Sequence, residues 1–166
     1  MKIAQQIIKM YGLEPLAAEG GYYRETYRSG EVLSNDQLSR RYNGNRSLYT
    51  CIYYLLAPDS RSLIHRIKSD EIFHFYSGDD VEMLLLFPGG GGKLITLGSK
   101  LSEEINFQQV VYHGEWVGMR LKPGGDYALM GTTVSPGFEF EDLELGNREK
   151  LSSVYPEFKY IIMELT

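Results

Sequence analysis

The run LIHRIKSDEIFHFYSG, residues 63–78, decides how this chain folds. Side chains alternate along a β-strand with a period of two, so His65 and Ile67 share one face and Arg66 takes the other. Lys68, Ser69 and Asp70 break the apolar pattern as a turn, and Glu71 opens a second strand. The expected unit is a hairpin that sets His65 and Glu71 on one inner wall. His74, three residues beyond Glu71, falls on the opposite face of its strand. Asp70 is expected to cap backbone in the turn.

The same texture continues on both sides. From Gly20 onward, short aromatic and β-branched runs predict strands over 22–27, 47–56, 62–67, 72–76, 81–87, 93–96, 107–112, 117–121 and 127–134. Turn signals such as Asn43-Gly44, Pro58-Asp59 and Ser135-Pro136-Gly137 separate them. Many short strands without interleaved helices mean a sandwich or barrel, an all-β class. Ile3, Ile7, Ile8 and Tyr11 recur at helical spacing ahead of Gly12, which predicts a short N-terminal helix. Asn147 is placed to cap a helix over 148–154, and Phe158, Ile161, Ile162 and Leu165 predict a last one. Residues 34–46 read as a polar surface loop. No repeat or linker divides the chain, so residues 1–166 are expected to form one domain.

Composition narrows the function classes. The formal net charge is −5 and no basic run exists, which argues against nucleic acid and anionic membrane as partners. One cysteine, Cys51, excludes an intrachain disulfide and reads as a small core residue within an apolar run. A leader would need a basic segment followed by a continuous apolar one, and Gln5, Gln6 and Lys9 interrupt the pattern, so the expected compartment is the cytoplasm. Thirteen tyrosines against one tryptophan suit half-buried strands and pocket rims.

Four runs carry a resemblance: EGGYYRETYRS (19–29), IYYLL (52–56), HRIKSDEIFH (65–74) and SPGFEFEDLEL (135–145). Together they resemble an uncharacterised family of the cupin superfamily. The resemblance implies a double-stranded β-helix, or jelly-roll barrel, that forms a homodimer. It also implies distant similarity to nucleotide-sugar epimerases and seed-storage cupins, with no established reaction. Against the first cupin motif, His65, Glu71 and Gly78 match, while Ile67 stands where a second histidine would. Against the second, Gly114 matches, while Tyr112 replaces a proline and Val117 a histidine. One histidine and one carboxylate are left where a catalytic metal takes about three protein ligands. No metal or other cofactor is therefore expected; His65 and Glu71 would be the ligands if one bound.

Three functions fit a small-molecule pocket of this kind. The first is a metal-independent isomerase or epimerase of a sugar-like or keto-acid substrate. There His65 is the base, Glu71 its partner acid, and Tyr112 supplies a phenol to the developing enolate. Arg24 would hold an anionic end of the substrate, and Ile67 and Phe73 would keep the site dry. The second is a non-catalytic ligand-binding module for sensing or storage. The third is a metal-dependent oxygenase using His65, Glu71 and a further ligand.

Overall fold

The computed structural model describes residues 2–166. Fourteen strands, numbered in chain order, build two six-stranded sheets and a small ribbon. The first sheet runs, in spatial order, β1 (Glu14–Pro15), β2 (Tyr22–Arg28), β5 (Thr50–Leu56), β13 (Ala128–Ser135), β7 (Asp70–Gly78) and β11 (Gln108–Val111). The second runs β10 (Ile105–Asn106), β9 (Gly92–Leu97), β8 (Val81–Leu86), β12 (Trp116–Leu121), β6 (Arg61–Arg66) and β14 (Glu144–Leu145). The ribbon pairs β3 (Val32–Leu33) with β4 (Arg46–Ser47). Each of the nine expected strands has a counterpart.

The inward faces of the two sheets meet in one core. Tyr54, Phe73 and Met130 from the first pack against Met83, Leu85 and Met119 from the second, all fully buried. Each such side chain contributes about 1.5–3 kcal/mol relative to an exposed one. Helix α1 (Ile3–Tyr11) covers the outer face of the first sheet, where Ala4 and Leu13 meet Leu55 and Leu129. Gly12 ends it at φ 60°, a left-handed conformation that costs glycine least. Helices α2 (Arg148–Val154) and α3 (Lys159–Glu164) cover the second sheet. There Leu151, Ile161 and Ile162 pack on Ile64, Leu84 and Leu86. Asn147 caps α2 as expected, its side chain accepting from the Lys150 N–H at 3.0 Å. Among the described residues no helix is long and apolar enough to cross a membrane.

Three local expectations are corrected. Strands β6 and β7 do not form a hairpin, because both edges of each are occupied: β6 lies between β12 and β14, and β7 between β13 and β11. Residues 67–69 instead carry the chain from one sheet to the other. Tyr42 and Arg41 fasten this crossing by donating to the Lys68 carbonyl at 3.0 and 2.6 Å. The 34–46 segment is not wholly superficial, since Tyr42 and Arg46 are buried. Cys51 is only half-buried, on the outer face of β5, because Ile52, Tyr54 and Leu56 take the inward positions.

Candidate functional site

Between the sheets, at the end where β6 crosses to β7, a cavity of about 300 Å³ opens. His65 projects into it from β6 and Glu71 from β7, so the two residues face each other from opposite sheets, not along one wall. The distance from His65 Nε2 to Glu71 Oε2 is 4.0 Å. Between them comes a residue that reading the strands does not single out: Glu19 Oε2 lies 3.1 Å from His65 Nε2.

The chain at 19–21 explains how Glu19 arrives there. Gly20 and Gly21 sit at φ 90° and 73°, a conformation that side chains resist. A Cβ on Gly20 would lie 2.2 Å from the Arg61 carbonyl oxygen, and one on Gly21 would lie 2.5 Å from the Tyr54 hydroxyl. Only glycines allow this approach. The Leu63 N–H donates to the Glu19 carbonyl at 2.7 Å, and Tyr54 donates to the Gly20 carbonyl at 3.0 Å. The signal in the sequence is the Gly20-Gly21 pair directly after Glu19 and ahead of β2.

The hydrogen bonds settle the histidine's protonation pattern. His65 Nδ1 lies 2.8 Å from the Leu63 carbonyl, which can only accept, so Nδ1 carries a hydrogen. Nε2 then shares a proton with Glu19. Burial alone would depress the His65 pKa, but Glu19 and Glu71 together outweigh it and raise the value. Burial raises Glu19 as well, against the opposing pull of His65. Glu71 is pushed up to about 8 by burial, with His65 opposing and Glu19 adding. Near neutral pH Glu71 therefore keeps its proton, beside the Glu19–His65 contact at 3.1 Å. Glu71 Oε2 and Thr132 Oγ1, both buried in the cavity wall, have no hydrogen-bond partner in the chain.

The walls above the floor are mainly apolar. Leu16, Tyr23, Ile52 and Val134 line them, with Ile67 from the crossing. Phe138 and Phe140 close one side. Their segment is held by a buried ion pair, Arg46 to Asp142 at 2.7 Å, reinforced by Lys68 at 3.3 Å. In the sequence 138–145 phenylalanine and leucine largely alternate with acidic residues, but the burial of a strand is not kept here. A 3₁₀ turn over Phe140–Asp142 leaves Phe140 exposed and buries Asp142 instead.

Two expected site residues, His65 and Glu71, are brought together, and Ile67 lines the cavity. Three are not placed there. Phe73 shares the inward face with Glu71 but lies in the core beyond the cavity. Tyr112, 59% exposed, begins a turn closed by the Glu115 N–H donating to its carbonyl, and its ring points to solvent. Arg24 points outward because Tyr23 and Glu25 take the inward positions, and its guanidinium lies over the Tyr53 ring, 5.9 Å from the centroid. A register shift between Glu25 and Tyr27 then reverses the parity of β2, and Arg28 faces the cavity mouth in its place. Arg28 is already engaged by Glu25 at 2.9 Å and Glu139 at 2.6 Å. His74, on the outer face, meets Thr133 and Gln108. The exposed His113 bonds Asp70 through both its backbone N–H and its ring.

The residues do not fit a metal ion of the kind the fold suggests. Among the described residues no group of three or more His, Cys, Asp or Glu side chains converges so as to hold one. The single cavity histidine has Nδ1 bound to Leu63 and Nε2 facing Glu19, so neither ring nitrogen offers a lone pair to the cavity.

Comparison with known proteins agrees with the fold. Residues 5–146 match the family described as cupin superfamily (DUF985). An uncharacterised protein of Saccharomyces cerevisiae, YML079W, is 31% identical over 132 residues, which span 75% of this chain and 66% of that protein, just under two thirds of its length. The crystal structure of protein SO0799 from Shewanella oneidensis is 32% identical and superposes with a TM-score of 0.86 over 100% of this chain and 98% of its own. Oxalate decarboxylase of Bacillus subtilis, 13% identical, covers 94% of this chain with 38% of its own at a TM-score of 0.53, a likeness of fold alone. With most of its length matched and the two-sheet architecture in place, the chain belongs to the DUF985 family of the cupin superfamily.

Proposed function

We propose that this protein is a metal-independent isomerase or epimerase of a small carbonyl compound, with the two sheets closing as a jelly-roll barrel around its substrate. The observation that carries the proposal is the cavity floor, where Glu19 Oε2 and Glu71 Oε2 lie 3.1 and 4.0 Å from His65 Nε2. Proton abstraction next to a carbonyl needs a base and an acid whose pKa values both approach the working pH. Glu19, raised by burial, is the base; His65, held by Leu63, orients it and balances its charge. Glu71 keeps its proton to about pH 8 and is the acid.

In the forward step, Glu19 takes the proton from the carbon beside the carbonyl. That C–H pair becomes the C=C bond of an enol, the carbonyl π pair moves to oxygen, and oxygen receives the Glu71 proton. For isomerisation, Glu19 returns its proton to the former carbonyl carbon while the Glu71 carboxylate recovers a proton from the hydroxyl on the neighbouring carbon, whose oxygen becomes the new carbonyl. For epimerisation, solvent protonates the opposite face of the original carbon, Glu71 recovers its proton from the first oxygen, and Glu19 releases its own proton to solvent. The surrounding Ile52, Ile67 and Val134 exclude water and strengthen each charge interaction.

Incubation with carbonyl substrates in heavy water tests the proposal. Deuterium should enter the position next to the carbonyl, and Glu19→Gln and His65→Asn should each slow its entry by about a hundredfold or more while ligand still binds. Binding without exchange across a broad panel of carbonyl compounds would make the protein a non-catalytic binding module.

We also infer a homodimer, through the outer face of the first sheet. Tyr27 and Tyr49 stack there with ring centroids 5.1 Å apart, and Tyr76 and Phe107 are about half exposed. Exposed aromatic groups on a sheet face are characteristic of subunit contacts.

A further inference from the structure

We propose that the cavity takes an uncharged polyhydroxy carbonyl compound, an unphosphorylated aldose or ketose, in preference to a keto acid, a sugar acid or a phosphate ester. The proposal rests on the carbonyl-isomerase reading of the same site and narrows its substrate class.

The first argument is the absence of a free anion receptor. Among the described residues, Arg28 is the only arginine or lysine in the cavity wall. A guanidinium has five N–H donors. In Arg28, Nε donates to Glu25 at 3.0 Å, and Nη2 to Glu25 and the Phe138 carbonyl at 2.9 and 3.1 Å. Nη1 donates to Glu139 at 2.6 Å. One N–H is left, so the two parallel bonds that recognise a carboxylate or phosphate cannot form without breaking these. Four glutamates (19, 25, 71 and 139) line the cavity against two bases, Arg28 and His65, and both bases are already paired. An anion entering here would meet carboxylates at the mouth and again at the floor.

The second argument is what the floor offers. The Thr132 hydroxyl, 2% exposed, and Glu71 Oε2 are buried without partners and aimed into the cavity. Buried polar atoms left unpaired are costly, and a ligand that satisfies both must present groups able to donate and to accept. Neighbouring hydroxyl and carbonyl groups of a sugar do so without bringing a charge. Tyr23, Phe138 and the aliphatic walls then receive its C–H faces. A cavity of about 300 Å³ has room for a free pentose or hexose.

Calorimetric titration of the wild-type protein with matched sets would test this: a free aldose or ketose, its phosphate ester, its uronic acid and its amino analogue. At least one neutral sugar should bind about tenfold or more tightly than each charged analogue, and Thr132→Val should weaken it about tenfold without lowering the melting temperature. Equal or tighter binding of a charged analogue would overturn the proposal, as would failure of every neutral sugar to bind or unchanged affinity in Thr132→Val. The two readings fail separately. Neutral sugar bound without deuterium exchange removes the isomerase and leaves the ligand class. Exchange in a phosphate or acid, with the neutral compound ignored, does the reverse.

Discussion

Replacing Glu71 by glutamine preserves the shape and neutrality that the folded protein imposes on this side chain, and the consequence is a change in how stability depends on pH. The Glu71 pKa rises from 4.5 in the unfolded chain to about 8 in the fold. A group with a raised folded pKa contributes stability that is complete below the unfolded value and is lost as pH climbs through the folded one. For these two values the contribution falls by about 3 kcal/mol between pH 6 and pH 9. His65 and Glu19 are raised as well, so their contributions are likewise lost as pH climbs through their folded values. The wild-type protein should therefore weaken steadily over this range. Glu71→Gln has no proton to lose at that position, so its loss should be smaller by about 3 kcal/mol, leaving it more stable than wild type at pH 9. Urea unfolding at half-unit intervals from pH 6 to 9 measures both curves. If the two run parallel, Glu71 ionises in the fold as freely as in the unfolded chain, and the acid role assigned to it has no basis.

Other outcomes follow from particular contacts. Asp142→Ala leaves Arg46 buried without its main partner and should cost about 3–5 kcal/mol, read as a lowered urea midpoint. Gly20→Ala should cost at least about 1–3 kcal/mol for the backbone conformation alone, and the added Cβ would collide with the Arg61 carbonyl. Because Gly20 aims Glu19, any folded fraction of that variant should also lose deuterium exchange. Light scattering at micromolar protein should give the mass of a dimer, and Tyr76→Glu, which places a charge in the exposed aromatic face, should shift it towards the monomer; a monomer mass for the wild type rejects the dimer.

The strands were legible because their signals are local. Alternation, turn residues and a capping Asn147 each act over a few residues, and nine runs, two helix ends and the inward parity of His65 and Glu71 could be placed from them. Pairing was less legible. The 63–78 run reads as a hairpin because nothing within it reveals that β12, β14, β13 and β11 already occupy the edges of its two strands. Arg24 and Arg28 show a second limit. Alternation along β2 correctly sends Arg24 outward if Tyr23 faces in, but the register shift after Glu25 is set by pairing with β5 and leaves no mark in composition. Tyr112 was assigned by analogy with a motif position, and the turn that exposes it depends on Glu115 three residues later.

Glu19 is the more instructive omission, since the floor depends on it. No strand carries it, so no periodicity predicts where it points. Its position follows from two glycines pressed against Arg61 and Tyr54, residues roughly forty positions away in sequence, and from a backbone bond to Leu63. The same Leu63 that donates its N–H to the Glu19 carbonyl uses its own carbonyl to accept from His65 Nδ1. One residue of β6 therefore fixes both members of the proposed base, while Glu71 approaches from the other sheet and is positioned by the core between them. Changes in that core, at Met119 or Met130 for example, should alter the 4.0 Å separation of acid and base without touching the Glu19–His65 pair. A cavity-forming Met130→Ala variant should accordingly lose deuterium exchange out of proportion to its loss of ligand affinity. Equal losses in both would mean that the two sheets do not hold the acid and base independently.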